Sequence, residues 1–395
     1  MRRVCVLVAA LQLALAAGAC SPTPEKIARW KETERGPGKL REVLGKNGLD
    51  PSLRGQALAA LVEIGMASDA IGDLAKVDAG DKRAIIHDAV PRLAELARGS
   101  GVAGAATTRA QREAKDALYL LRADAAPDDK NAADTALIEW TTADLNGRMS
   151  AGGHSSDQIL TAIGSKAAPR LGELMQPGSS QLVAAAAIFG RIADPDARAR
   201  VADELIARIQ KAGPRALDEQ ALQALGLIGG PRATAFLVDQ AEHAREESAR
   251  EKALLALAQG NLSTGDSALQ AAALRIAGDG KAPGKVRESA FALLEKMPTA
   301  VTGLVALMRS PDETTRWRAV EAALAAGKER AVVPVLEALN PAAKYKPEDL
   351  DSYVVHDLVL VGPTALPPLQ TELGSKNAVA RKVAATAVAR LQKRP

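Results

Sequence analysis

The chain has 395 residues, 47% hydrophobic but only 2% aromatic, with two cysteines and a formal net charge of +4. That length accommodates two or three ordinary domains. The weak charge leaves no electrostatic footprint for nucleic acid, and so few rings argue against a stacking platform for single strands. Alanine, leucine and valine carry the apolar load, and the first two are strong helix formers. Composition therefore points to an all-α fold of closely packed helices built from small aliphatic side chains.

Arg2 and Arg3 open the chain. Val4 to Ala17 is apolar apart from Gln12, and small residues follow at Ala17, Gly18 and Ala19. A positive start, an apolar stretch of about 7–15 residues and small residues at the cut describe an export signal. The stretch falls short of the roughly 20 apolar residues a spanning helix needs. Ala17 and Ala19 suit the common signal peptidase, which would leave a soluble exported chain. Leu15-Ala16-Ala17-Gly18-Ala19-Cys20 also resembles the lipobox of bacterial lipoproteins, with Ala17 where leucine is commoner. The resemblance implies a signal peptide over residues 1–19 and a lipid on Cys20 as the mature N-terminus. In that family an aspartate after the cysteine often retains the protein at the inner membrane. Ser21 stands there instead, which implies the outer membrane. A lone N-terminal thiol has little other use in an exported protein, and two or more acyl chains give stable anchoring. Removal of Arg2, Arg3 and Cys5 lowers the charge to +2 (4 − 2) and leaves no pair for an internal disulfide.

Residues 20–38 read as a tether and lead-in helix. Ser21 to Pro37 carries three prolines and mixed charge, with Ile27 and Trp30 as the only large apolar side chains. Trp30 has two readings: packing on the first repeat, as is ordinary beneath a terminus, or contact with a membrane surface.

From residue 39 to 395 one unit recurs: an amphipathic helix, a turn with Pro, Gly or Asp, and a second helix. First helices are predicted to begin near Leu171, Leu205, Leu237, Leu269, Leu304, Val335 and Leu366, at spacings of 34, 32, 32, 35, 31 and 31. Weaker copies begin near Leu40, Leu93 and Leu137. A period of 20–50 residues signals a stacked helical array. The second helices resemble HEAT repeats, which commonly open D-P-x-V-R-x-x-A. Here Asp50-Pro51-Ser52-Leu53-Arg54 precedes Ala57, and Arg250, Arg287, Arg316 and Arg381 stand three residues before Ala253, Ala290, Ala319 and Ala384. The resemblance implies an α-solenoid of about ten repeats, some 90–100 Å long at a helix spacing of about 8–10 Å. It also implies that these five arginines form a structural ladder with acids of adjacent repeats, Asp50, Glu246 and Asp312 being candidates. Arg381, Lys382, Arg390, Lys393 and Arg394 supply a polar C-terminal cap and complement the last helix dipole.

Motifs for chemistry are sparse. His87, His154, His243 and His356 have no metal-ligand spacing and no spare cysteine accompanies them, so neither a metal nor a cofactor is expected. Gly278-Asp279-Gly280-Lys281-Ala282-Pro283 lacks the last glycine of a dinucleotide motif and the spacing of a phosphate loop. Gly152-Gly153-His154-Ser155-Ser156-Asp157 gathers triad residue types, but a triad converges from separate segments. Ser155-x-x-Gln158 reads better as a capping box. His87 and Asp88, ahead of Pro91, read as a turn or helix surface. Pro341 to Tyr353 reads as an irregular piece inside one repeat. It holds Tyr345 and Tyr353, either on a solvated turn or in a partner-binding loop, since tyrosine is enriched in interfaces.

The leading expectation is a membrane-anchored, extracytoplasmic scaffold, not an enzyme, that binds another protein on its repeat surface. Nothing in the sequence points to a nucleic acid or small-molecule partner. The alternatives are an enzyme on a HEAT-like frame, as in the phycobilin lyases and alkylpurine glycosylases, and a purely structural envelope protein.

Overall fold

The computed structural model describes residues 21–99, 107–149, 153–213, 217–260, 266–343 and 345–393, and among these it is helical with no strand. Cys20, the expected signal, Arg394 and the stretch from Gly101 to Gly104 lie outside the described residues. The chain forms two compact units, Met1–Arg170 and Leu171–Pro395.

The first unit contains α1 (Pro24–Trp30), α2 (Gly36–Gly45), α3 (Pro51–Glu63), α4 (Ala67–Leu74), α5 (Ala79–Arg98), α6 (Arg109–Leu121), α7 (Pro127–Ala143), α8 (Leu145–Arg148) and α9 (Ser156–Ile163). Helices α2, α4 and α6 pack in one row; α3, α5 and α7 pack in another. Leu93 and Leu137 therefore lie on the second row, one helix out of the expected phase. The reason is the length of α5, whose apolar stripe from Ile85 to Ala97 outlasts the shorter stripe of α4. His87 and Asp88 fall in the middle of α5, which continues through Pro91 instead of turning.

Little of the expected tether remains as a connector. Thr23 caps α1, accepting a hydrogen bond from the Lys26 amide, and Ile27 is buried in the core of this unit. Trp30 is partly buried and packs on the same core.

The second unit contains α10 (Ala168–Leu174), at which the division falls, then α11 (Leu182–Ile192), α12 (Pro195–Ala212), α13 (Glu219–Ile228), α14 (Gly230–His243), α15 (Glu247–Gln259), α16 (Ser267–Gly278), α17 (Gly284–Leu294), α18 (Val301–Leu307), α19 (Glu313–Gly327), α20 (Glu329–Ala338), α21 (Pro347–Leu350), a π-helical turn at Asp351–Val355, α22 (His356–Val361), α23 (Leu366–Glu372) and α24 (Ala378–Lys393). Helices α11, α13, α15, α17 and α19 stack in sequence, and so do α12, α14, α16, α18, α20 and α23. Each of the seven predicted first-helix positions lies inside a helix. Leu205 lies furthest from its helix start, because Asp194 caps α12 and Pro195 opens it with its fixed φ.

Small residues set the spacing of the second row. A Cβ on Gly226 of α13 would lie 2.2 Å from the Ala256 carbonyl oxygen of α15, and one on Gly55 of α3 would lie 2.6 Å from Asp88 Cβ of α5. Backbones approach here as only glycine permits.

The five arginines share one place: each is the fourth residue of its helix. Four of them donate to a carbonyl at the end of the preceding first-row helix or in the turn that follows. Arg54 Nε reaches Leu44 O at 2.9 Å, Arg250 Nε reaches Ala241 O at 2.9 Å, Arg316 Nη1 reaches Ser310 O at 3.0 Å, and Arg381 Nη1 reaches Ser375 O at 2.5 Å. The expected acid pairing holds for two. Arg54 Nη1 meets Asp81 at 2.6 Å and Arg287 Nη1 meets Asp312 at 2.9 Å, each in or capping the next helix of the row. Asp50 instead caps α3 through the Ser52 amide. Helix ends leave orphan carbonyls, and these guanidiniums satisfy them.

Arg54 is fully buried. Arg54→Met keeps much of its volume but strips Leu44 O of its donor. It should cost about 1–3 kcal/mol, read as a lower urea midpoint for the first unit. Gly226→Ala should destabilise the second unit by about 1–3 kcal/mol through overpacking, measured the same way.

Candidate functional site

The two tyrosines singled out from sequence lie on the same tryptophan. Trp317, on α19, is 8% exposed. Its ring lies 5.2 Å from that of Tyr353 at an interplanar angle of 12°, and 5.8 Å from that of Tyr345 at 55°. In a chain with three tyrosines and three tryptophans, this collects half of these rings in one place.

Local structure accounts for the convergence. Only the first half of Pro341–Tyr353 is irregular. The Asn340 side chain accepts from the Ala342 amide at 2.9 Å, and the Asn340 amide donates to the Tyr345 hydroxyl at 3.1 Å, which folds the turn back on itself. Pro347 then opens α21, and the chain continues through the π-turn, so Tyr353 lies on a helical segment and not in a loop. Val354 and Val355 are buried, and Arg390 of α24 holds Asp351 at 2.6 Å. A π-turn of this kind often marks a functional position. Here it presents Tyr353 at 45% exposure, with Leu360 at 63% on the next helix.

Trp317 and Tyr345 line an open groove of about 750 Å³ whose walls also carry Arg309, Glu313, Arg316, Glu337, Pro341 and Lys346. Charges of both signs rim it. Arg316 is tied to the carbonyls of Ser310 and Pro311 at 3.0 Å each, and Trp317 Nε1 donates to Glu313 at 3.5 Å. An aromatic floor with polar groups around it is the composition of a protein interface patch, apolar at the centre and polar at the rim.

Behind this patch lies a cluster that the sequence reading missed. Arg318 of α19 sets Nε 2.8 Å from Glu288 and Nη2 3.3 Å from Glu295, and it also contacts Glu321. Burial pushes the Glu295 carboxyl above its usual range. The missing signal was a periodic one. Tyr353 follows Trp317 by 36 residues (353 − 317), and the two stack from neighbouring helical segments.

The triad-like residues in the first unit are used structurally. The Ser155 hydroxyl accepts from the Gln158 amide at 3.2 Å, while the Gln158 side chain accepts from the Ser155 amide at 3.0 Å, completing the capping box that opens α9. His154 joins Asp116 of α6 instead, by its amide at 2.8 Å and Nδ1 at 3.2 Å, and its ring lies 4.4 Å from that of Tyr119. The fully buried Lys115 donates to His154 O at 2.6 Å, contacts Asp116 at 2.9 Å, and lies over Trp140 at 5.3 Å. These bonds fasten the segment before α9 onto α6. His87 pairs with Asp129 at 2.9 Å, which holds its imidazole above the usual range.

Among the described residues, no group of three or more His, Cys, Asp or Glu is arranged to hold a metal ion. No single described helix is long and apolar enough to cross a membrane. No protein family matches the chain, and no curated protein is similar to it.

Ser155→Ala should cost about 1 kcal/mol of stability through loss of the cap, seen in urea unfolding. Tyr353→Ala should cost about 0.5–1.5 kcal/mol, the scale of an aromatic pair. Trp317→Ala should cost about 3–5 kcal/mol as a buried ring is deleted.

Proposed function

We propose that the chain is a lipid-anchored scaffold of stacked HEAT-like helix pairs, held outside the cytoplasm by Cys20, that binds another protein on the aromatic groove of its second unit. The observation that carries the binding reading is the Trp317, Tyr345 and Tyr353 cluster. Aromatic residues are 2% of the chain, and three of its rings gather here, two of them on the walls of an open groove and the third stacked on Trp317. Tyr353 is half exposed on a helical segment, and tyrosine is enriched among interface anchors. Repeat arrays present extended surfaces for such contacts. The row packing within each unit and the helix-four arginines support the solenoid reading.

The anchor reading rests on the lipobox-like run before Cys20. The short connector adds a consequence. Three residues, Ser21 to Thr23, separate Cys20 from α1, and three residues span at most about 11 Å. A lipid on Cys20 therefore brings the first unit to the headgroups with almost no slack.

The intact mass of the mature N-terminal peptide is expected to show diacylglycerol on Cys20. A free thiol there, or an N-terminus elsewhere, would sink the anchor. Capture from envelope extracts with the mature chain is expected to enrich one protein saturably. Tyr353→Ala should cut that capture about tenfold or more, as loss of an interface anchor does. Equal capture by both chains would refute the aromatic cluster as the binding site.

A further inference from the structure

Helix α24 has one open face, and every charge on it is positive. Ala380, Val383, Ala384, Ala387 and Leu391 are buried. Arg381, Lys382, Arg390 and Lys393 are exposed, as is Lys376 in the turn before the helix. From residue 373 onward the sequence holds six cations, Arg394 included, and no acid. Setting these aside with Arg2 and Arg3, the remaining residues sum to −4 (4 − 2 − 6). The near-neutral total therefore hides a segregation of charge, with the surplus of cations gathered on one helix.

Structural duties account for part of this set. Arg390 holds Asp351 at 2.6 Å, and Arg381 bonds Ser375 O at 2.5 Å. Arg390 and Lys393 lie in the last turn, where the negative end of the helix dipole favours cations. Neither duty covers Lys376 and Lys382. They stand toward the other end of α24, where the dipole is positive and a cation is disfavoured. That end is already closed by the Asn377 side chain, which accepts from the Val379 and Ala380 amides. Lys376, Lys382 and Lys393 meet no acidic partner among the described residues.

The three free ammonium groups can meet one surface together. Lys382 and Lys393 are eleven residues apart, about three helical turns, so they share a face at about 16 Å separation. Ala385 and Ala389, exposed between them, are too small to hold a flat surface away.

We propose that this face of α24 binds the anionic headgroups of a phospholipid surface. Charge complementarity calls for an anionic partner, and the make-up of the face selects which one. The helix has no aromatic residue and its one leucine is buried, so the face lacks the apolar centre and aromatic anchors of a protein interface. A headgroup layer needs only the field of the cations. The contact does not depend on Cys20. With a lipid on Cys20 it adds a second membrane signal, and a basic patch beside an acyl chain makes anchoring stable.

The test is sedimentation of the mature chain carrying Cys20→Ser, which removes any lipid, with vesicles of phosphatidylcholine alone or mixed with phosphatidylglycerol. Binding is expected to the mixed vesicles and not to the neutral ones. Salt at about 1 M, where the Debye length falls to about 3 Å, should abolish it. Each cation near such a surface contributes about fivefold, so Lys376→Gln, Lys382→Gln and Lys393→Gln together should weaken binding about 100-fold. Arg29→Gln, Arg35→Gln and Lys46→Gln together, at exposed positions of the first unit, lower the net charge equally and should leave binding nearly unchanged. The proposal is overturned if the chain binds neutral vesicles as well as anionic ones, binds neither, or is weakened as much by the first-unit set. Binding to polyglutamate with none to vesicles would overturn it too, and would assign the face to an acidic protein.

Discussion

The contact on which the helix pairing most depends is a guanidinium filling the open end of a neighbouring helix. A helix finishes with carbonyls that have no partner within it. Where first-row and second-row helices meet closely, water cannot serve them all, and a buried carbonyl without a donor costs about 1–3 kcal/mol. The arginine at the fourth position of a second-row helix reaches back to that end, as Arg54, Arg250, Arg316 and Arg381 do. A positive charge is also favoured there by the helix dipole. The small residue three positions later is buried at Ala57, Ala253, Ala290, Ala319 and Ala384, while the closest backbone approaches along the row are at Gly55 and Gly226.

This contact explains why the spacing of the arginines was easy to read and their chemistry was not. Spacing placed the arginines and alanines correctly. Of the acids expected to pair with them, Asp312 meets Arg287 but Asp50 caps its own helix, and Arg250 bonds a carbonyl. Ion pairs between repeats do occur, but many run along the first row. Arg41 meets Asp73 at 2.6 Å, Arg232 meets Asp203 at 2.7 Å, and Arg275 meets Glu242 at 2.5 Å. Their helices are surface elements, and exposed pairs of this kind contribute about 0–1 kcal/mol each. A charge pattern on a solvated face leaves no apolar imprint, so periodicity did not find it.

The phase of the early repeats was hidden for a different reason. Alanine-rich helices carry apolar residues on more than one face, and α5 is long enough to imitate two helices. Lys115 shows the same limit at the level of one residue. Its sequence context reads as a polar helix, yet it is fully buried over Trp140, because its stem packs and its ammonium finds oxygen from a segment 39 residues away. The aromatic groove was half legible. Tyr345 and Tyr353 were conspicuous by type, whereas the helical backbone beneath Tyr353 depends on a π-turn that no propensity encodes, and Trp317 joins them only through the fold of adjacent repeats.

The proposed docking face joins these strands: helices brought close by small residues, and three rings gathered beside an open groove. Photo-crosslinking tests the binding claim most directly, with a benzophenone amino acid placed at position 353 of the full-length protein in intact cells and, as a control, at the exposed Leu120 of the first unit. The account predicts one discrete adduct from position 353 and none of that mass from position 120. Identical adduct patterns from the two positions, or no adduct from position 353, would contradict it.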